Sequence, residues 1–225
     1  MTILVRSDLA DSHRLAWEHI AAPGSWWTGV ARVELATTAL IAITDPDPLA
    51  PWIGVSRTDR LPFGRVVPAI AHDVAYRLAR HAGTMTEAVY RAVVEEIDPL
   101  PYVELCAIVS SVAAVAHFCR NIGAEIPSLP RPLPGVATGE RPDRLEQAAL
   151  NWVPVAAPAD EVAAVVQAYT GVPGEQRNTW RMADAQYMPD QEMVDPEWTR
   201  RPGGLTRAQM ELVATRVAQL RECFY

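Results

Sequence analysis

The chain has 225 residues, 49% hydrophobic and 21% charged, with a formal net charge of -7. That length holds one large core or two small ones sharing an interface. The acidic balance excludes a general nucleic-acid binder, which needs a basic face.

All 20 basic residues are arginine, which reads as a coding bias and not as chemistry. The opening MTILVRSDLADSHR is too short and too quickly charged for a signal peptide. The longest apolar run, CAIVSSVAAVAHFC, falls short of the roughly 18 residues of a membrane span and carries two serines and a histidine, so it reads as a buried core helix. Three cysteines without framework spacing argue against a disulfide-stapled secreted domain. The expectation is a cytoplasmic protein with no membrane or nucleic-acid partner.

Helical signals dominate. SDLADSHRLAWEHIAAPG offers Ser7 or Asp8 as a cap and a Pro-Gly stop. VARVELATTALIAI is apolar on most sides and runs to the Asp-Pro-Asp-Pro breaker at 45–48, a buried helix whose Thr and Ile content also suits a strand. RVVPAIAHDVAYRLARHAG places Ile70, Val74, Ala75 and Leu78 on one stripe and stops at Gly83. Thr84 and Glu87 make a capping box for TEAVYRAVVEEI. LPYVELCAIVSSVAAVAHFCRNIG has helix length, with Gly123 as its stop.

Residues 124–158 then carry seven prolines, Pro127, Pro130, Pro132, Pro134, Pro142, Pro154 and Pro158, a density that forbids regular helix and favours an extended surface linker. Helix resumes at DEVAAVVQAYTG and EQRNTWRMADAQYM. After a turn-rich stretch, Thr206 and Gln209 cap a last helix. At least six helices and no hairpin signal point to an all-α fold. It divides into an N-terminal half (1–123), a Pro-rich linker (124–158) and a C-terminal half (159–225).

The last helix holds Glu211 and, twelve residues on, Cys223. A thiol becomes a nucleophile where its pKa is lowered, and a second thiol three residues away sits one turn off, within disulfide reach. A nearby glutamate can relay the proton. Cys106 and Cys119 are too far apart to form such a pair: thirteen residues of straight helix rise about 20 Å.

LTRAQMELVATRVAQLRECFY resembles the signature of the AhpD-like alkylhydroperoxidase / carboxymuconolactone decarboxylase superfamily, in which a Glu is followed after eleven residues by Cys-x-x-Cys and a relay His. PGSWWTGVARVELA, RVVPAIAHDVAYRLARHAGTMTEAVYRAVVE, YVELCAIVSSVAAVAHFCRNIG and LNWVPV resemble segments of its longer, two-halved members. The resemblance implies an AhpD-like bundle in each half, with Glu211 as proton relay and Cys223 as resolving cysteine. The peroxidatic chalcogen and the relay histidine fall beyond Tyr225. Three explanations are open: a UGA codon read as selenocysteine, a non-catalytic paralogue, or an artificial boundary. The absence of a cap after Tyr225 favours the first.

The resemblance also marks a degenerate copy in the first half. Glu104 aligns with the relay, Cys119 with the second cysteine and His117 with a spacer histidine, while Ala116 replaces the first cysteine and Gly123 the relay histidine. RVELA with Glu34 is a third, more eroded echo. Glu104 and Glu211 sit among apolar neighbours, so each is either solvated on a helix face or buried with a raised pKa. Cys106 reads as a core residue.

The expected function is a peroxidase-like oxidoreductase acting through Cys/Cys or Cys/selenocysteine, with this chain inactive as it ends. Its partners would be a peroxide, a thiol reductant or reductase protein, and further copies of itself in a homo-oligomer. The alternatives are a non-catalytic oligomeric scaffold or small-molecule binder, and a carboxymuconolactone decarboxylase-like enzyme. His13, His19, His72 and His81 lack ligand spacing, so no metal or cofactor is expected. The seven tryptophans, Trp26 and Trp27 among them, read as core and interface packing.

Overall fold

The computed structural model describes residues 4–45, 66–147, 152–157 and 167–223. Seven α-helices make up most of these residues: α1 (Ser7–Ala21), α2 (Gly29–Thr44), α3 (Ala69–His81), α4 (Glu87–Ile97), α5 (Pro99–Asn121), α6 (Pro173–Gln186) and α7 (Arg207–Leu220). The all-α expectation holds, with one exception. Glu146–Gln147 (β1) pairs antiparallel with Pro154–Val155 (β2), a ladder too short to leave an alternation signal in the sequence.

The core lies where α2, α3 and α5 meet, with α1, α4 and α6 around them. Ala36, Ala39 and Ala42 of α2, Ala71 and Ala75 of α3, and Ala107 and Ala116 of α5 are fully buried. Such small side chains let helix axes approach closely. Leu35, Leu105, Ile108 and Val112 fill the space between them. Among the described residues α5 alone is long and apolar enough to cross a membrane, yet 67% of that stretch is buried within the fold. It is the central helix of the core.

Several helix ends differ from the sequence reading by a residue or two, each for a local reason. Arg6 is the N-cap of α1 and gives no side-chain cap bond; Ser7 and Asp8 lie inside the first turn, and Asp8 pairs with Arg6 at 3.0 Å. Thr86 and not Thr84 caps α4, accepting from the Val89 N–H at 3.3 Å. Thr84 instead closes a 3-10 turn (Ala82–Thr84) by donating its hydroxyl to His81 O at 2.7 Å. The Thr206–Gln209 capping box of α7 forms as read. Of the Asp-Pro-Asp-Pro breaker only Asp45 is described, and it ends α2.

Over residues 124–145 the Pro-rich stretch is extended, as its composition implies. The Pro-rich stretch is bound along the first helices: Leu133 N–H donates to Ala21 O at 2.8 Å, Thr138 N–H to Gly24 O at 3.0 Å and Gly139 N–H to Ser25 O at 2.8 Å. Trp17 Nε1 donates to Pro127 O at 3.2 Å. Prolines lack the N–H a ladder needs, so they hold this strap only as acceptors and its N–H donors come from the residues between them. Beyond it, α6 packs on α1 and α5, and its Met182 joins the main core. Most of the helix expected at 160–171 lies outside the described residues; its described end, 167–171, is mainly turn.

Two helices close with the same hydrogen-bond pattern. In α5, Ala124 N–H reaches Cys119 O at 2.9 Å and Gly123 N–H reaches Arg120 O at 3.2 Å, with Gly123 at φ 69°. In α7, Cys223 N–H reaches Ala218 O at 2.9 Å and Glu222 N–H reaches Gln219 O at 3.2 Å. Both are Schellman closures, which satisfy the last carbonyls. The helix expected to lack a cap therefore has one, and it ends at Leu220, so Cys223 stands beyond it. In α7 the left-handed position is taken by Glu222, at φ 54°, where a side chain is disfavoured. Glu222→Gly should stabilise this turn by about 0.5–1 kcal/mol. Amide exchange at Arg221 and Cys223, read by NMR or mass spectrometry, should slow by about two- to fivefold.

Candidate functional site

Glu104 of α5 is fully buried, which settles its sequence reading against a solvated helix face. One carboxylate oxygen accepts the Trp26 backbone N–H at 2.7 Å, and the other accepts from Arg32 Nη1 of α2. The same Arg32 Nη1 donates to Glu175 of α6 at 2.7 Å. Glu175 also meets His19 Nε2 of α1 at 2.9 Å, and Arg32 Nη2 reaches back to His19 O at 3.2 Å. Four helices thus converge on one guanidinium. Gly24 lies against this cluster, where a Cβ would overlap the Glu104 carboxylate and the Arg32 guanidinium.

Two carboxylates share one arginine, and their protonation divides accordingly. Burial pushes Glu104 up, outweighing the Arg32 charge. Burial also opposes ionisation of Glu175, but the His19 hydrogen bond and the Arg32 charge outweigh it and hold that carboxyl below the usual range. Burial works against the charge of Arg32 as well, yet the two glutamates keep it raised.

Glu34, the more eroded echo in the sequence, repeats this arrangement one layer over. It accepts from Val66 N–H at 2.9 Å and meets His72 Nε2 at 2.7 Å. His72 Nδ1 in turn meets Thr38 Oγ1 at 2.8 Å. Glu34 and Glu104 are each the sixth residue of their helices. Each binds the N–H two residues before the N-cap of a neighbouring helix and the side chain of that helix's fourth residue.

The redox candidates lie elsewhere. Glu104 and Cys119 share one unbroken helix, so fifteen residues separate them by about 22 Å of rise. Direct proton transfer between them is geometrically closed. Cys119 is buried in the last turn of α5, and burial pushes its thiol up. Cys106 is half-buried in the core, as expected, with its thiol pushed up to about 12, chiefly by burial.

Cys223 is exposed to solvent. The turn that carries it is held from two sides. Arg221 Nη2 donates to His117 Nε2 of α5 at 3.4 Å. Gly83 sits against Arg221 O and the Glu222 Cβ, with a built Cβ only 3.2 Å from each. His117 is held below its ordinary value by burial and by the Arg221 and Arg120 charges, so its imidazole is neutral at pH 7. The structure therefore brings Cys223 and His117 to one end of the bundle.

Glu211 does not join them. It sits in the second turn of α7, accepting from Tyr187 Oη and from Arg207 Nε at 2.6 Å. The Tyr187 hydrogen bond first, then Arg207, hold its carboxyl below the usual range. The nine residues from Glu211 to the end of α7 span about 14 Å. The relay implied by the family signature needs a chain that turns back between these positions, and here the helix runs straight.

Sequence reasoning missed Arg32, Glu175 and His19. The repeated Val-Glu-Leu at 33–35 and 103–105 was the one signal that could have exposed the clasp. Among the described residues no group of three or more His, Cys, Asp and Glu side chains is gathered for a metal. No family model, curated protein or solved structure matches the chain.

The buried network sets a pH dependence. A carboxyl held below its unfolded value contributes stability that is present above that value and lost as pH falls. Glu175 is in this position. The stability gap between the native chain and Glu175→Gln should therefore shrink as pH falls from about pH 5 to about pH 3, as read by urea unfolding at each pH.

Proposed function

We propose that the chain is a peroxidase-like oxidoreductase of the alkylhydroperoxidase type, with Cys223 as its reacting sulfur. The observation that carries this reading is the setting of Cys223: of the three cysteines it alone is exposed, on a turn tied to a neutral imidazole. His117, which faces Arg221 of the same turn at 3.4 Å, serves as base for the thiol. The thiolate attacks the distal oxygen of a hydroperoxide: the S–O bond forms, the O–O bond breaks, and the leaving alkoxide takes a proton to become an alcohol. A reductant thiol then attacks the sulfenic acid, forming a disulfide and releasing water. A second reductant thiol frees Cys223 and leaves the reductant oxidised.

Were the chain to follow the AhpD-like signature, a second chalcogen one position beyond Tyr225 would take the peroxide itself and leave Cys223 to resolve the product. Two chains separate these roles: the present one, and one extended by a cysteine at that position with a histidine four residues later. Each is given an organic hydroperoxide and dithiothreitol. The present chain should turn over slowly and the extended chain faster. Cys223→Ser should abolish turnover in the present chain and slow it in the extended one, where dithiothreitol must reduce the added cysteine directly, whereas Cys106→Ser should change neither. His117→Ala should slow sulfenic acid trapping on the order of tenfold, below the usual general-base effect because an exposed thiol also ionises into water. Equal consumption with and without Cys223 sinks the reading.

A second reading, an oligomeric helical scaffold, is favoured by a different observation. No residue of α7 is buried. Val213, Val217 and Leu220 follow the i, i+4, i+7 spacing of one stripe with Leu212 beside it, and all four are more than half exposed. A stripe of this kind is what a helix presents to a partner. The occupant we propose is the same helix of a second copy, related by a two-fold axis. Light scattering after size exclusion should give a dimer or larger, and Val217→Arg should shift it to monomer. A native chain that stays monomeric at high micromolar concentration removes this partner.

A further inference from the structure

A cavity of about 600 Å³ lies where α7 and the chain before it lean on the ends of α1, α5 and α6. That is within the ordinary range for small-molecule sites. Its walls are apolar: Leu9 of α1, Phe118 of α5 and Ile122 at its C-cap, and Met210, Val213 and Ala214 of α7. Arg6, Arg200 and Arg201 also line it. Three cations around an apolar cavity stand out on a chain of net charge -7.

The carboxylates facing these arginines do not balance them fully. Asp8 is shared, lying 3.0 Å from Arg6 and 3.5 Å from Arg200. The Asp184 charge adds a weaker pull on Arg200. Glu211, behind the wall, is already taken by Arg207 and Tyr187. Arg201 makes no ion pair among the described residues. Burial, and then the like charge of Arg6, hold the Arg200 guanidinium below its usual range, against the pull of Asp8 and Asp184.

We propose that this cavity binds a medium-chain aliphatic carboxylate, its tail between α1, α5 and α7 and its head group on Arg201, with Arg200 and Arg6 beside it. Guanidinium groups match a carboxylate in charge and in bidentate geometry. The apolar walls take up a tail that water rejects. A neutral lipid would leave Arg201 unanswered, since Arg6 and Arg200 already donate to Asp8 and to the carbonyls of Ala185, Asp184 and Tyr187, and a small polar anion would leave the walls wet. The site is distinct from the Cys223 turn, and its test reads binding and not turnover, so neither proposal depends on the other.

The test is calorimetric titration of the native chain with octanoate, decanoate and dodecanoate, all kept below micelle formation. Saturable one-to-one binding is expected, tightening by about fourfold per added methylene until the cavity is full. Methyl decanoate should bind at least roughly tenfold more weakly than decanoate, since it cannot take the charged hydrogen bonds. Arg201→Gln, an exposed change that leaves the fold intact, should weaken decanoate by roughly tenfold. Ala214→Trp should fill the cavity and abolish binding. The proposal is overturned by absence of saturable binding, by equal affinity for the ester, or by Arg201→Gln leaving affinity unchanged. It is also overturned if the chain sediments with phosphatidylglycerol vesicles while ignoring free decanoate, which would assign the arginines to a membrane surface.

Discussion

A buried glutamate reaching across to the start of another helix organises this fold. Placing a carboxylate in an apolar core costs several kcal/mol unless the charge is answered. Here the answer comes from a helix entrance, the positive end of the helix dipole. One backbone N–H before the cap and one basic side chain in the first turn close on the carboxylate. Glu104 holds α2 in this way through Trp26 and Arg32, and Glu34 on that same α2 holds α3 through Val66 and His72. The three central helices are thus fixed in sequence, α5 to α2 to α3. The alanine-rich packing between them follows from that geometry, because small side chains alone leave helix rotation weakly specified.

The first clasp also recruits the distant part of the chain. Glu175, 143 residues after Arg32, completes the guanidinium's coordination and brings α6 onto α1 and α5. A lone Arg32–Glu104 pair would close its charge balance without α6. The third and fourth partners, Glu175 and His19, turn a helix pair into a four-helix junction. The Pro-rich strap serves the same body, because its hydrogen bonds to the α1–α2 connection end beside Gly24, where Glu104 is seated. A chain that composition divides into two halves is joined by polar contacts, among them this junction, Asn178 to Ser111 and Gln186 to His13.

Much of the fold was legible in local patterns. Helix positions followed apolar periodicity, Gly123 stopped α5 through its positive φ, and Thr206–Gln209 capped α7. The features that local pattern left open depended on partners far along the chain. Glu104 reads equally as solvated or buried until Arg32 and Trp26 are brought to it, and it is buried. A proline-dense segment reads as a linker until its few free N–H groups find carbonyls on α1 and the turn after it. The site was legible in part: the signature singled out Cys223 and His117, which do lie at one end of the bundle. It also singled out Glu211 and Glu104, whose distances from the thiols are set by helix rise. Spacing in a motif specifies geometry only when the path between its residues is known, and a straight helix and a helix–turn–helix share the same spacing.

The last helix follows different rules from the core. Its outer stripe is open to water, and it is tied down by polar contacts near its two ends: Arg207 and Glu211 toward Met188, Met193 and Tyr187 at one end, Arg221 toward His117 at the other. Segments with few buried apolar contacts open first, so α7 is the least stable element of the described fold. The Cys223 turn is attached to it, and the arginine-lined cavity lies beneath it. Anything that fills the cavity binds only the docked form of α7 and stabilises that form by mass action. Occupancy of the cavity would therefore be coupled to docking of the helix that carries the Cys223 turn. Neither the buried clasp nor the core of α2, α3 and α5 has to move for that linkage to operate.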